Sequence, residues 1–383
     1  MQKGIPKRLG TALVALFFAA LTLLGLATSF GYGQPWDEGS EQDILRMNLN
    51  QYAKALGLPQ TYTGQGRIKW PEGGLIANSI ERDHGESAYY PLFWLMGEGA
   101  PTGFPRMVIW HAYTWLWFMA GVAALWLISR RLGLSRPLSC VAALLLVLSP
   151  RMFAEGHYNN KDMVLLSLVL LTLWLALRLM ERPTLPRALL FSFAGAMAAN
   201  TKIIGLMVWG LCALCVLIRQ IGGRRMTGRV WLVALAALVG FAGFYALLTP
   251  ALWGNPLGYL QYVLGNTADF SRWKNMVLFR GAVFDTGKNP LPFYYLPYMI
   301  LVTTPLWVLA LVALGQGAAV LRLFRERKAL AAGDTSMALL LCTGLWLLPF
   351  LYAVIARPTM YNGWRHMYFL YGPMLALAAY GLS

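Results

Sequence analysis

Between Leu9 and Trp36 the chain carries no charged residue, and this run constrains the fold more than any other feature. Away from water, a segment of that length satisfies its own N–H and C=O groups only as a helix. It is long enough to cross a hydrocarbon core of about 30 Å. Similar runs, free or nearly free of charge, recur at 107–129, 137–150, 163–177, 188–201, 203–218, 230–248, 293–321, 335–356 and 366–383. A chain that is 58% hydrophobic and only 13% charged is too apolar for a water-soluble domain. The pattern predicts an all-α polytopic membrane protein with about ten transmembrane helices, forming one domain over 1–383. The first run exceeds the apolar core of a signal peptide and is read as a retained anchor.

Basic residues set the orientation. The segments 1–8, 129–137, 181–187, 221–229 and 322–328 are dense in Lys and Arg. They share one side if all ten runs cross, and that side is cytoplasmic. Of the sixteen acidic residues only Glu181, Glu326 and Asp334 join them. The net charge of +16 is therefore a topology signal, with some attraction to anionic lipid, and no nucleic-acid partner is implied. Lys202 alone interrupts the apolar stretch 188–218. Reading that stretch as one helix would put two basic segments outside, so two short helices are expected to meet near Lys202. Short helices leave Lys202 below the outer surface, and residues 151–162 are expected to dip into the same depression.

On the outer side the chain spends its length in two long loops, 31–105 and 249–292. Ser40 and Asp43 have capping-box spacing, and Leu45, Leu49, Tyr52, Ala53 and Leu56 follow at helical period. Asn255-Pro256 opens a second amphipathic helix with Leu257, Leu260, Leu264 and Thr267 on one face and Asp269 to Lys274 at its end. Both helices either lie on the outer membrane face or plug the space between spans. Four charged clusters sit at outer helix ends, where charge is costly: "PWDE" (35–38), "PRMFAEGHYNNKD" (150–162), "NTK" (200–202) and "YNGWRH" (361–366). Snorkelling would account for any one of them. All four at one level point to a site. Cys140, Cys212, Cys215 and Cys342 fall within apolar runs, so the CxxC spacing of Cys212 and Cys215 reads as packing. The sequence carries no P-loop, Rossmann glycine pattern or nucleophile elbow.

These clusters are similar to those of the polytopic GT-C glycosyltransferases, in particular the dolichyl-phosphate-mannose protein mannosyltransferases and the bacterial aminoarabinose transferase acting on lipid A. The resemblance rests on Asp37-Glu38 after the first helix, "SPRMFAEGHYNNKDMVLL" around Asp162, "TKIIG" around Lys202, and Arg365-His366 entering a late helix. It implies a GT-C-like fold and a sugar donor linked through phosphate to a polyprenol. The sugar would pass with inversion to a hydroxyl on a lipid, glycan or protein acceptor. Asp37 would be the general base, with Glu38 supporting it or contacting the acceptor, and Asp162, the second acidic position, would orient Lys202 or Arg365. Lys202 and Arg365, then Lys161 and Arg151, would hold the donor phosphate. His84, Glu155, His157 and His366 would support the site or meet the acceptor. The resemblance fixes no cofactor, and a divalent cation shared by Asp162, Glu155 and His157 is left open. Relatives commonly continue beyond the point equivalent to Ser383, so the resemblance bears on core chemistry more than on acceptor recognition.

A bacterial inner membrane, with the site facing the periplasm, is the expected location. Two other functions remain: a secondary transporter, disfavoured because the halves show no repeat and the charges gather on one face, and a non-catalytic membrane scaffold.

Overall fold

The protein is described by a computed structural model covering residues 7–268 and 275–383. The start of the first basic segment and the charged stretch 269–274 lie outside the described residues. The described chain is mostly helical, and every apolar run of the sequence becomes a helix or a helix pair.

Helix α1 (Lys7–Thr28) stands at the periphery with Leu13, Leu16 and Leu23 exposed. Helix α2 (Glu38–Ala55) follows, then a long irregular stretch, then α3 (Gly103–Arg131). The chain bends by 69° between α4 (Arg136–Val147) and α5 (Pro150–Tyr158). Pro150 sits in the first turn of α5, where its missing N–H costs nothing. Helix α6 (Asp162–Glu181) is apolar on all sides and buried along most of its length, which makes it the central post. It packs against α3 and α7 (Leu185–Thr201). Helices α8 (Ile204–Gly222) and α9 (Gly228–Leu248) complete this half.

After α10 (Pro256–Ala268) comes a two-stranded antiparallel hairpin, β1 (Met276–Phe279) and β2 (Ala282–Asp285), in which Met276 pairs with Asp285. The run 293–321 is not one helix. Pro305 forces the preceding Thr304 into the extended region and splits the run into α11 (Tyr295–Thr303) and α12 (Leu306–Arg325). Helix α13 (Asp334–Ala356) then leads to a 3₁₀ turn over 365–370 and to α14 (Tyr371–Tyr380), whose residues are buried from Tyr371 to Ala379.

Seven of these helices are long and apolar enough to cross a membrane, or eight if the bent pair α4–α5 counts as one span. The expected ten includes α7 and α14, which are shorter. Arg131, Glu181, Arg219 and Asp334 meet at one end of the bundle. There Arg131 donates to Glu181 at 2.6 Å, and Arg219 to Asp334 at 2.5 Å. Asp162 stands at the opposite end of α6, about 30 Å away at 1.5 Å per residue. The basic turns and the acidic clusters therefore occupy opposite ends, as the charge pattern predicts.

Near Lys202 the expected break is present. Helix α7 ends at Thr201, Lys202 is extended, and α8 starts at Ile204. The two helices touch backbone to backbone: a Cβ on Gly205 would lie 2.2 Å from the carbonyl carbon of Ala198. Only glycine fits there, which explains the last letter of "TKIIG".

The capping-box expectation fails. Helix α2 begins at Glu38, two residues before Ser40, and Asp43 bonds Arg46 at 3.0 Å and the Gln65 N–H at 3.0 Å. Nor does α2 lie open on a surface. Its polar side is buried too, with Asp43 and Arg46 no more than 1% exposed. Helix α10 behaves as expected: Asn255 caps the Gly258 N–H at 2.9 Å, and Leu257, Leu260 and Leu264 are exposed while Tyr259 and Val263 are buried.

Candidate functional site

Four local features open a cavity of about 560 Å³ at the end of the bundle away from the basic turns. They are the start of α2, the bend into α5 with the tight turn to α6, the break before α8, and the segment from Pro358 to the 3₁₀ turn. Each ends a helix early, so side chains that would otherwise meet lipid meet one another.

Asp37 is the residue before α2, and its side chain is 47% exposed, so the cavity reaches it freely. Its Oδ2 accepts from Arg365 at 2.8 Å, and the Nε of Arg365 lies 3.8 Å from Asp162. Asp162, 4% exposed, also receives Lys202. One buried carboxylate thus holds two cations, and the structure brings Asp37, Asp162, Lys202 and Arg365 together from four distant parts of the sequence. Arg151 pairs with Glu155 at 3.2 Å and with the Tyr368 hydroxyl, which itself donates to Glu155 at 2.7 Å. Asn159 then links Glu155 and Asp162, at 2.6 and 3.1 Å from its amide nitrogen. The ring of His366 meets Tyr361 edge-on at 4.5 Å on the cavity wall. His84 lines the opposite wall with its Nδ1 3.2 Å from Glu81.

Lys161 lines the cavity but is closed off by the protein. It donates to Glu41 at 2.5 Å and to Glu86 at 3.0 Å. Burial alone would lower its affinity for a proton, yet the two carboxylates hold it above the ordinary lysine range. Burial would likewise raise Glu41, but the ammonium beside it holds it down to about 2. Glu86 moves the other way, pushed well above the ordinary carboxylate range by burial and then by Glu41. Held by two acidic side chains of the protein itself, Lys161 has less to offer a ligand phosphate than the cations that share Asp162.

Two expected residues lie elsewhere. Glu38 faces away from the cavity, fully buried, with its Oε2 2.8 Å from His111 and Gln42 donating to its other oxygen at 3.1 Å. That explains the pairing of adjacent acids: one aims into the cavity and its neighbour anchors the helix that carries it. His157 is stacked between Tyr32 and Trp115 and hydrogen-bonded near Gly25 O at 3.0 Å. It therefore does not join Glu155 and Asp162 around a cation. Among the described residues no three His, Cys, Asp or Glu side chains gather as a metal would require. Glu155 and Asp162 are instead committed to Arg151, Lys202 and Asn159.

Sequence reasoning missed Glu41, Glu86 and His111. Glu41 stands four residues after Asp37 and so on the same helix face, a signal that was available. Nothing in the sequence marks Glu86 or His111 as partners of residues so distant.

The arrangement has the fold of the GT-C glycosyltransferases, a class of polytopic membrane proteins. The sequence profile of the family described as dolichyl-phosphate-mannose-protein mannosyltransferase matches residues 105–249, and no curated protein matches the chain in sequence. Among solved structures the chain is similar to ArnT from Cupriavidus metallidurans bound to undecaprenyl phosphate, with a TM-score of 0.55 and 18% identity over 97% of this chain and 60% of that one. The same protein in the apo state gives a TM-score of 0.54 and 16% identity over 97% and 59%. At such identities the likeness is one of fold. The chain spans about 60% of the length of these structures.

Proposed function

We propose that the protein transfers a sugar from a polyprenyl-phosphate donor to an acceptor hydroxyl, as one integral membrane domain whose long outer loops are 31–105 and 249–292. The convergence of Asp37, Asp162, Lys202 and Arg365 on one cavity carries this reading. A membrane-embedded donor needs a cavity that is both charged and apolar. Ile204, Tyr352 and Phe369 line it beside the cations, and Leu351 and Ile355 of α13 stay exposed nearby in sequence. That a chain of the same fold is solved with undecaprenyl phosphate supports the donor class.

In this reaction the acceptor oxygen attacks the anomeric carbon from the face opposite the phosphate. The new C–O bond forms as the bond to phosphate breaks, with inversion. Asp37 takes the hydroxyl proton on Oδ1, since Arg365 occupies Oδ2. Lys202 and Arg365, backed by Arg151, meet the charge that grows on the departing phosphate. Glu38 steadies Asp37 through α2. The Lys and Arg bias of the other end favours an inner membrane with this cavity facing the periplasm.

Two variants test the assignment. Asp37→Asn keeps the shape but removes the basic oxygen, so single-turnover transfer is expected to fall about a hundredfold or more with donor binding retained. Lys202→Ala is expected to weaken donor binding itself, by roughly a hundredfold. Near-normal transfer by Asp37→Asn would refute the general-base role.

A further inference from the structure

The turn between α5 and α6, "YNNKD", places Asn159 where one amide serves both helices. Its backbone N–H donates to Glu155 O at 2.8 Å and ends α5. Its side-chain oxygen accepts from the N–H groups of Lys161 at 3.3 Å and Asp162 at 2.8 Å, capping α6. Its side-chain nitrogen donates to Glu155 Oε2 at 2.6 Å and to Asp162 Oδ2 at 3.1 Å. Each polar group of the side chain faces partners of matching sense, so the amide has a single workable orientation. A flipped amide would turn its oxygen toward two carboxylates and its NH₂ toward two N–H donors.

This arrangement exceeds what a helix cap requires. Two carboxylates that would repel are held within reach of one NH₂ group, and each is thereby fixed for its cations. Glu155 turns its other oxygen to Arg151 and the Tyr368 hydroxyl. Asp162 turns Oδ1 to Lys202 while its Oδ2 lies 3.8 Å from Arg365. We infer that Asn159 is a positioning residue: its amide sets the spacing of Glu155 and Asp162, and through them aims Arg151, Lys202 and Arg365 at the donor phosphate. The phosphate part of this statement rests on the proposed transferase reading, whereas the spacing of the carboxylates does not.

Capping and carboxylate spacing make opposite predictions for one substitution. Aspartate caps a helix as well as asparagine does, so a residue that only caps tolerates Asn159→Asp. A residue that separates carboxylates does not, because the new carboxylate stands within hydrogen-bond distance of two others. Charged groups around it are Arg151 on the Glu155 side and Lys202 and Arg365 on the Asp162 side, where the uncharged His366 ring also stands. Those cations are already engaged by the existing acids. A third acid there holds its proton well above the ordinary carboxylate range by like-charge repulsion, and once protonated it again offers a donor.

The experiment has two arms on the purified full chain in detergent. In the first, without ligand, wild type, Asn159→Asp and Asn159→Ser are melted from pH 5 to pH 8. Asn159→Asp is expected to match wild type near pH 5 and to fall several degrees below it at pH 8, with Asn159→Ser low throughout. Equal melting of Asn159→Asp and wild type across that range overturns the spacing role. In the second arm undecaprenyl phosphate is titrated at both pH values. Asn159→Asp is expected to bind at least tenfold more weakly than wild type at pH 8 and to recover most of the loss at pH 5. Wild-type binding by Asn159→Asp at pH 8 overturns the link to the cations. Failure of wild type itself to bind would overturn the transferase reading and with it that link, while the melting arm still decides the carboxylate spacing.

Discussion

Replacing Lys161 with methionine removes the one cation between Glu41 and Glu86 while preserving much of the volume. All three groups are buried, with Lys161 and Glu41 each 8% exposed and Glu86 3%, so water cannot take over the lost role. Folding draws Glu41 from an ordinary 4.5 down to about 2, a contribution of about 3 kcal/mol at neutral pH. Breaking a buried pair by removing one partner costs about 3–5 kcal/mol by a separate route. The two figures are of one order, and for a chain of this size they correspond to a fall in Tm of roughly five degrees.

The sign of the pH dependence follows from the directions. The contribution of Glu41 is full above its unfolded value of 4.5 and is lost as pH falls toward about 2. Glu86, raised instead, contributes below its unfolded value and loses that contribution as pH rises through its folded one. The gap between wild type and Lys161→Met should therefore be widest near pH 7, begin to narrow below pH 4.5 and close only as pH falls toward about 2. Thermal melting of detergent-purified protein at pH 3, 4.5 and 7 reads this directly. A second substitution, Glu41→Gln, should restore much of the loss, because a lone Glu86 can stay protonated. A Tm for Lys161→Met within two degrees of wild type at pH 7, or a loss equally large at pH 3, would refute the argument.

Two further outcomes follow. Gly205→Ala should destabilise the protein by about 1–3 kcal/mol or block its accumulation, because its Cβ meets the backbone of Ala198 rather than a movable side chain; melting and membrane yield check this, and wild-type behaviour would mean that α7 and α8 are not so closely packed. Arg225→Cys, in the turn between α8 and α9, should resist an impermeant thiol reagent applied outside intact cells and react once the membrane is opened, whereas ready labelling from outside would invert the topology.

How much was legible depended on range. Charge-free runs and the Lys and Arg bias act locally, so the break at Lys202 and the separation of basic and acidic ends could be read from the residues alone. The Pro305 break was equally local and was passed over because the apolar run continued through it. The capping box failed for a different reason. Ser40 and Asp43 had the right spacing, but Asp43 was taken by Arg46 and the backbone of Gln65, a tertiary contact with no local trace. At the site, charge at helix ends identified Asp37, Asp162, Lys202 and Arg365. It also nominated Lys161, Glu38 and His157, whose partners Glu86, His111 and Trp115 lie far along the chain and turn them inward.

The shortness of α7 bears on the bilayer as well as on the site. Seventeen residues at 1.5 Å reach about 26 Å, some 4 Å less than a typical hydrocarbon core, and Leu189, Leu190 and Phe193 present its flank to the surroundings. Lipid beside that flank must thin to meet it, at a fraction of a kcal/mol per ångström. On the proposed reading, a donor headgroup arriving along α7 is lowered toward the level of Lys202, and membranes with shorter acyl chains are expected to suit the protein better than thick, sterol-stiffened ones.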